Sequence, residues 1–396
     1  MKKTLLIAAF ASTMILFSCR TDDSFEPDVY LDFAMEQVEE ALKGQPDINR
    51  FARNIPPGEK HWGTTGVNGW TSGFFPGILW YMYEYSGDVE LREEAHRRSM
   101  PLEVCKDNEN KHHDLGFMVY SSLGNGYRLT DNPKYREIVL ETADSLAALF
   151  NPNVGTILSW PGARTRGWSH NTIVDNMMNL ELLFWASKNG GDQNLYDIAV
   201  EHAQVTAREH LRPDYSSYHV VVFDSLTGDV DQKVTHQGYA DESMWARGQA
   251  WGIYGFTMTY RETGMPEFLE TAKNMASVYL DRLPEDHVPY WDFDAPNIPE
   301  EERDASAAAI TASALLELST LVDNDEESAY YRSKATDMLR SLSRNYRSDG
   351  SNVAVLWHSV GSKPGDSEVD VPIIYADYYY IEALLREKKL QEQGEL

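Results

Sequence analysis

The chain has 396 residues, 42% of them hydrophobic, and carries 62 acidic against 35 basic side chains for a net charge of −27. That balance excludes a nucleic-acid partner, because phosphate backbones demand a basic surface. It also requires that any anionic substrate be gripped by a few local cations, against the field of the whole molecule.

Lys2 and Lys3 precede an apolar run, TLLIAAFASTMILFS, that ends at Cys19. The run is too short to span a bilayer and reads as a signal peptide over residues 1–18. The ending "LFSC" resembles a bacterial lipobox, which implies cleavage before Cys19 and attachment of lipid to it. The competing reading is an ordinary signal peptide with an incidental cysteine. Residues 19–27 read as a polar tether and 28–390 as a single domain. Membrane contact is expected only through the lipid anchor, in the bacterial cell envelope, on the periplasmic face or the cell surface. Once Cys19 is lipidated, Cys105 has no disulfide partner, so the core alone must hold the domain. About 370 residues suffice for that, since chains of this size bury about three quarters of their surface.

Twelve segments show helical periodicity, spanning 28–43, 69–86, 89–105, 112–129, 133–150, 171–189, 193–211, 241–263, 266–283, 304–322, 326–346 and 371–388. They alternate in kind. The first, third and later odd members, such as "PKYREIVLETADSLAALF", are amphipathic with charged faces. The even members, such as "RDASAAAITASALLELSTLV", carry few charges and many small or aromatic residues. Turn signals at Gly87-Asp88, Asp131-Asn132, Gly190-Gly191-Asp192, Gly264 and Asp323-Asn324-Asp325 separate them. The pattern predicts an all-α fold, an (α/α)6 barrel of six buried helices ringed by six half-exposed ones. An open helical solenoid is the alternative, but its repeats are usually regular, and here long insertions precede the inner helices unevenly. One insertion, "HVVVFDSLTGDVDQKVTH", alternates and turns at Thr227-Gly228, which predicts a β-hairpin.

Each insertion delivers reactive residues near the start of an inner helix: Asp114 in "HHDLGF", Asp175 in "GWSHNTIVDNMMNLELLFWA", Arg247 in "ESMWARGQAW". Parallel inner helices would bring them to one mouth of the barrel. Read as a helix, residues 167–186 align Asn171, Asp175 and Asn179 four apart on one face of an otherwise apolar segment. A buried carboxylate there is costly unless paired or used. Two facing carboxylates cannot both ionise easily, and one then holds its proton to higher pH. Arg247 and helix N-termini suit a carboxylate ligand. The plain alternatives are a structural acid at Asp175 and a helix cap at Asp114. His112 and His113 show no metal-ligand spacing and read as satisfied or solvated histidines. Ten Trp and 22 Tyr exceed what a core needs, and aromatic faces at a barrel mouth suit sugar rings.

Eight stretches in series carry a family resemblance: "WTSGFFPG", "HDLGF", "NTIVDNMMNLELLFWA", "HQGYADESMWARGQAWGIYG", "VPYWDFDAP", "RDASAAAI", "HSVGS" and "YADYYYIEAL". Their order and spacing over about residues 70–384 resemble the unsaturated glucuronyl hydrolases, glycoside hydrolases with an (α/α)6 barrel. The resemblance implies that Asp175 is the principal acid/base and Asp114 the second essential carboxylate. It assigns substrate contacts to Trp160, His219, Gln237, Arg247, Trp251, Ser359 and Ser362. The implied substrates are lyase-generated oligosaccharides of glycosaminoglycan type, ending in a 4,5-unsaturated uronic acid. The implied chemistry is hydration of the C4=C5 enol ether. Asp175 would donate a proton to C4 and activate water for C5, and Asp114 would raise the proton affinity of Asp175. No metal or organic cofactor is implied. Arg164 and Arg166, just before the catalytic segment, either read a sulfate or are solvated loop charges.

The runner-up is an unsaturated rhamnogalacturonyl hydrolase, which shares the barrel and the enol-ether logic. A non-catalytic glycan-binding lipoprotein and a conventional inverting glycosidase are the readings from other classes.

Overall fold

The computed structural model describes residues 25–394. The leader over 1–18 and Cys19 lie outside the described residues, as does most of the expected tether. From Phe25 onward the chain is already folded: Phe25 is buried, stacks on Tyr30 at 5.2 Å, and accepts a hydrogen bond from Gln391. The domain therefore begins inside the segment read as tether.

Twelve α-helices follow in two sets. The outer set is α1 (Pro27–Gly44), α3 (Val89–Ser99), α5 (Pro133–Ala147), α7 (Asn194–Glu209), α9 (Pro266–Asp281) and α11 (Asp325–Ser341). The inner set is α2 (Phe74–Ser86), α4 (Asn125–Thr130), α6 (Leu180–Lys188), α8 (Ala246–Thr263), α10 (Ala305–Ser319) and α12 (Ile374–Gly394). The inner layer packs neighbour on neighbour around the ring, with the stretch Gly116–Gly124 before α4 meeting α6, and α12 closes on α2. Closure is what distinguishes this (α/α)6 barrel from an open solenoid. It follows from the apolar inner helices: α8 is buried continuously from Ala246 to Thr259, and α10 over nearly its whole length. Such helices are stable only when covered on all sides. The predicted turns do the punctuation. Asp88, Asn132 and Asn324 accept backbone N–H bonds at the starts of α3, α5 and α11, and Gly87 and Gly264 take the left-handed conformation after α2 and α8. Among the described residues no helix is long and apolar enough to cross a membrane.

Two inner helices depart from the even periodicity of the sequence. A π-helical stretch, Gly116–Gly124, leads into α4, and a 3₁₀ turn, Val174–Asn179, leads into α6. The expected helix over 171–189 is a strand for its first residues. β5 (His170–Ile173) pairs antiparallel with β6 (Val220–Phe223), which pairs with β7 (Val230–Val234). The β6–β7 hairpin is the predicted one, with Gly228 in the left-handed region at its turn. Two short strand pairs join this three-stranded sheet on the rim: Phe51–Ala52 (β1) with Thr64–Thr65 (β2), and Phe150–Asn151 (β3) with Thr156–Ile157 (β4).

Candidate active site

Strand register builds the centre of the site. Ile173 lies opposite Val220, and Val174 N–H donates to the His219 carbonyl at 3.0 Å. Asp175, one residue on, thus emerges beside His219. The backbone N–H groups of His236 and Gln237 both point at His219 Nδ1, at 3.2 and 3.3 Å. Nδ1 must accept them, so the ring proton sits on Nε2. That Nε2 faces Asp175 Oδ2 at 3.7 Å, and both atoms are buried with no hydrogen-bond partner. Burial first, then His236 and Arg247, hold the imidazole well below its ordinary pKa, so it is neutral.

The Asp175 carboxyl is pushed up to about 7. Burial is the main cause; Arg247 and a backbone hydrogen bond pull it down, and Asp114 adds the smallest upward push. The sequence reading gave the paired carboxylates the leading part, and the structure gives it to desolvation. A carboxyl balanced near neutrality can both give and take a proton.

The expected stripe of Asn171, Asp175 and Asn179 does not exist as one helix face, since Asn171 lies in β5. The three residues nevertheless divide the work. Asn171 clamps the backbone of Trp160, receiving its N–H and donating to its carbonyl, both at 3.0 Å. Asn179 Oδ1 accepts the Phe117 N–H at 3.1 Å, tying the π-helical stretch that follows Asp114 to the turn that carries Asp175. Asn176 donates to the Ile157 carbonyl and Ser159 and pairs with His113. Only Asp175 is left with an unengaged oxygen.

These groups surround a cavity of about 240 Å³ at the mouth where the inner helices begin. Asp114, Asp175, Trp160, Gln237, Arg247 and Ser362 all line it. Asp114 faces His113 Nε2 at 3.4 Å rather than a helix N–H, which argues against a capping role. Trp160 presents its ring between His219 and His236. Gln237 donates to the Gly361 carbonyl at 2.9 Å. Arg247 is more committed than expected: it is buried, paired with Asp304 at 2.9 Å, and donates to the carbonyls of Val360 and Gly361. Three expected contacts do not line it: His219, which faces Asp175 from within the wall, and two that lie elsewhere. Trp251 is buried beneath the cavity against Phe117 and Tyr379, and Ser359 is buried in a backbone bridge to Val371. Among the described residues no cluster of three or more His, Cys, Asp or Glu is arranged to hold a metal ion.

The glycosyl hydrolase family 88 profile matches residues 42–387. The chain belongs to this family. It is 44% identical over 327 residues to an unsaturated glucuronyl hydrolase of Formosa agariphila, covering 81% of this chain and 80% of that one. It is 38% identical over 364 residues to an unsaturated chondroitin disaccharide hydrolase of Streptococcus pyogenes, covering 90% of each. A crystal structure of an unsaturated glucuronyl hydrolase specific for heparin superposes with a TM-score of 0.88 at 42% identity, over 92% of this chain and 98% of that one. A Streptococcus agalactiae unsaturated glucuronyl hydrolase solved in complex with dGlcA-GalNAc6S superposes at 0.78, with 32% identity over 91% of each chain. The family 88 chain is therefore a glycoside hydrolase.

Sequence reasoning missed several residues that line the family 88 cavity. Trp70, His113, Phe117, His236 and Tyr375 all face it. Tyr375 and His113 obey the same rule that found Asp114 and Asp175, standing at the start of an inner helix. Trp70 and Phe117 sat inside quoted motifs. His236 opened the quoted motif "HQGYADESMWARGQAWGIYG", but nothing local marked it as a wall residue, because the loop after β7 brings it there. A larger cavity, about 550 Å³, opens at the opposite mouth. Most of its charges satisfy one another: Glu382 accepts from Tyr81 and Tyr254, Arg261 bridges Glu181 and Glu317, and Arg128 pairs with Glu84. That network is a structural closure of the barrel.

Proposed function

We propose that this glycoside hydrolase releases the terminal 4,5-unsaturated uronic acid from lyase-generated, glycosaminoglycan-type oligosaccharides, by hydrating the C4=C5 enol ether. The observation that carries the reading is the Asp175 carboxyl, buried, lifted to about 7, and left with an unpartnered oxygen facing the cavity. The names of the relatives agree in substrate class. Protonated Asp175 gives its proton to C4, and the C5 cation that develops is stabilised by the ring oxygen. Water adds at C5 and yields its proton to the Asp175 carboxylate, which restores the acid. The resulting C5 hemiketal opens to a ketone, and C1, now a hemiacetal carbon, releases the neighbouring sugar as its alcohol. Neutral His219 supplies a fixed N–H beside Asp175, and Asp114 holds the sugar ring. Trp160 gives the sugar an aromatic face. Retaining and inverting rules based on carboxylate separation do not apply to this route.

The test is the ultraviolet absorbance of the conjugated enol ether in unsaturated disaccharides from chondroitin, hyaluronan, heparin and pectin. Absorbance should decay with the wild type on a glycosaminoglycan set and persist with Asp175→Asn. Decay confined to the pectin set would favour the rhamnogalacturonyl reading, and no decay on any set would sink the mechanism.

The lipobox supports a second proposal, that Cys19 anchors the enzyme in the cell envelope. Labelled fatty acid should be incorporated by the full chain and not by Cys19→Ser.

A further inference from the structure

The ion pairs that close the far mouth of the barrel do not fill it. The cavity there, about 550 Å³, is more than twice the size of the one beside Asp175, and it falls within the roughly 300–1,000 Å³ of small-molecule sites. Its charges balance. Arg128, Arg261 and Arg386 in the wall stand against Glu84, Glu181 and Glu382. Glu317 behind them is held by both Arg261 and Arg386, and the last cation of the lining, Lys389, is exposed to solvent. A charged ligand would give up its hydration here for no net attraction, so the wall suits a neutral one.

Two hydroxyls in the lining have nothing to bond. Tyr379, only 3% exposed, and Tyr120 both line the cavity, and among the described residues neither hydroxyl has a hydrogen-bond partner. The adjacent tyrosines of the same run are satisfied: Tyr378 bonds Tyr81 and Asn125, and Tyr380 bonds Ser343. A buried hydroxyl left unpaired is costly and normally finds a partner. Beside these two stands a fixed aromatic face. Trp185, half-buried in the lining, is held by Tyr127 at 5.3 Å and by Tyr120 at 6.2 Å.

We propose that the far cavity is a second binding site, which takes a neutral sugar with its ring face on Trp185 and its hydroxyls on Tyr379 and Tyr120. A sugar hydroxyl both donates and accepts, as a tyrosine hydroxyl does, and the C–H face of the ring packs on an aromatic one. A wholly apolar ligand would bury the two hydroxyls unpaired. The site is distinct from the uronate cavity but shares a wall with it. Phe117 lines both, and Trp251 spans from Phe117 at 5.2 Å to Tyr379 at 5.4 Å. The proposal does not depend on the enol-ether reaction.

The experiment is a calorimetric titration of the protein with glucose, galactose and N-acetylgalactosamine. At least one should bind saturably, in the millimolar range, and because the ligand is neutral its affinity should hold as salt is raised. Tyr379→Phe keeps the ring and its packing and should weaken binding about fivefold, the size of one neutral hydrogen bond. Trp185→Ala should weaken it about tenfold through loss of the aromatic face. Trp160→Ala, in the uronate cavity, should leave it unchanged. Absence of saturable binding by all three sugars would mean that the cavity holds only solvent, and overturns the site. Binding that survives Tyr379→Phe unchanged overturns it as well. Binding lost in Trp160→Ala places the sugar in the uronate cavity and overturns it too.

Discussion

Replacing Asp175 with asparagine keeps the size of the side chain and removes its titration, so it should trade activity for stability in a pH-dependent way. The folded carboxyl is held at about 7 by burial, against about 3.9 in an unfolded chain. The folded state therefore binds this proton more tightly. Stability from the group is full below pH ~4, falls as pH rises from about 4 to about 7, and is constant above that. A gap of about three pH units, at about 1.4 kcal/mol each, makes the loss about 4 kcal/mol by pH 8. The side chain is only 13% exposed, so solvent screening takes little from this figure. The amide of the variant does not titrate and escapes the loss. In urea titrations the stability advantage of Asp175→Asn over wild type should grow by about 3 kcal/mol between pH 5 and pH 8. Asp377, another buried carboxyl at about 7, is present in both proteins and cancels in the comparison. Over the same range wild-type kcat should fall as Asp175 ionises, with turnover by the variant lower by 10²-fold or more, as for loss of a general acid (~10²–10⁴). Parallel stability curves for the two proteins would show that Asp175 ionises normally and would refute its assignment as the acid.

Arg247→Met should destabilise by about 3–5 kcal/mol, because it strands the fully buried Asp304 carboxylate. It should also shift the alkaline limb of the pH–rate profile upward, since the guanidinium normally lowers the Asp175 pKa. Adding Asp304→Asn should recover much of the stability by urea titration and leave the profile shifted. Gly116→Ala places a methyl carbon 2.7 Å from Asn179 Oδ1 and 2.8 Å from its Cα, a backbone atom that cannot swing aside. It should cost about 1–3 kcal/mol in denaturation and reduce kcat, because it pushes the two carboxylate-bearing segments apart. Cys105, whose thiol is lifted to about 12 by burial, should react with a thiol reagent only as fast as the protein unfolds.

The barrel was legible because its inner and outer helices have different solvents. A helix surrounded by other helices must be apolar all round, and one at the periphery only on one face, so alternate segments of a single sequence reported their layer. The starts of inner helices were legible for the same reason: Asp114 and Asp175 stood out as charges among residues that water never reaches. The strand at His170–Ile173 was not, although its Thr172-Ile173-Val174 run is β-branched. Apolar residues continue past it into α6, and only the partner strand at Val220–Phe223 settles which hydrogen bonds its backbone makes.

By itself the sequence determined the number of helix pairs, the hairpin, and which carboxylates stand where the inner helices begin. Those features depend on local periodicity and burial, which each segment carries within itself. Only the tertiary structure decided how each polar group is used. Asn171 and Asn179 became clamps, Arg247 was bound to Asp304 and two loop carbonyls, and Trp251 sank beneath the cavity. His219 met Asp175, and His236 joined the same cavity wall, across long stretches of chain. A carboxyl reaches a pKa near 7 through the loss of water around it, and that loss is a property of everything packed against it in three dimensions.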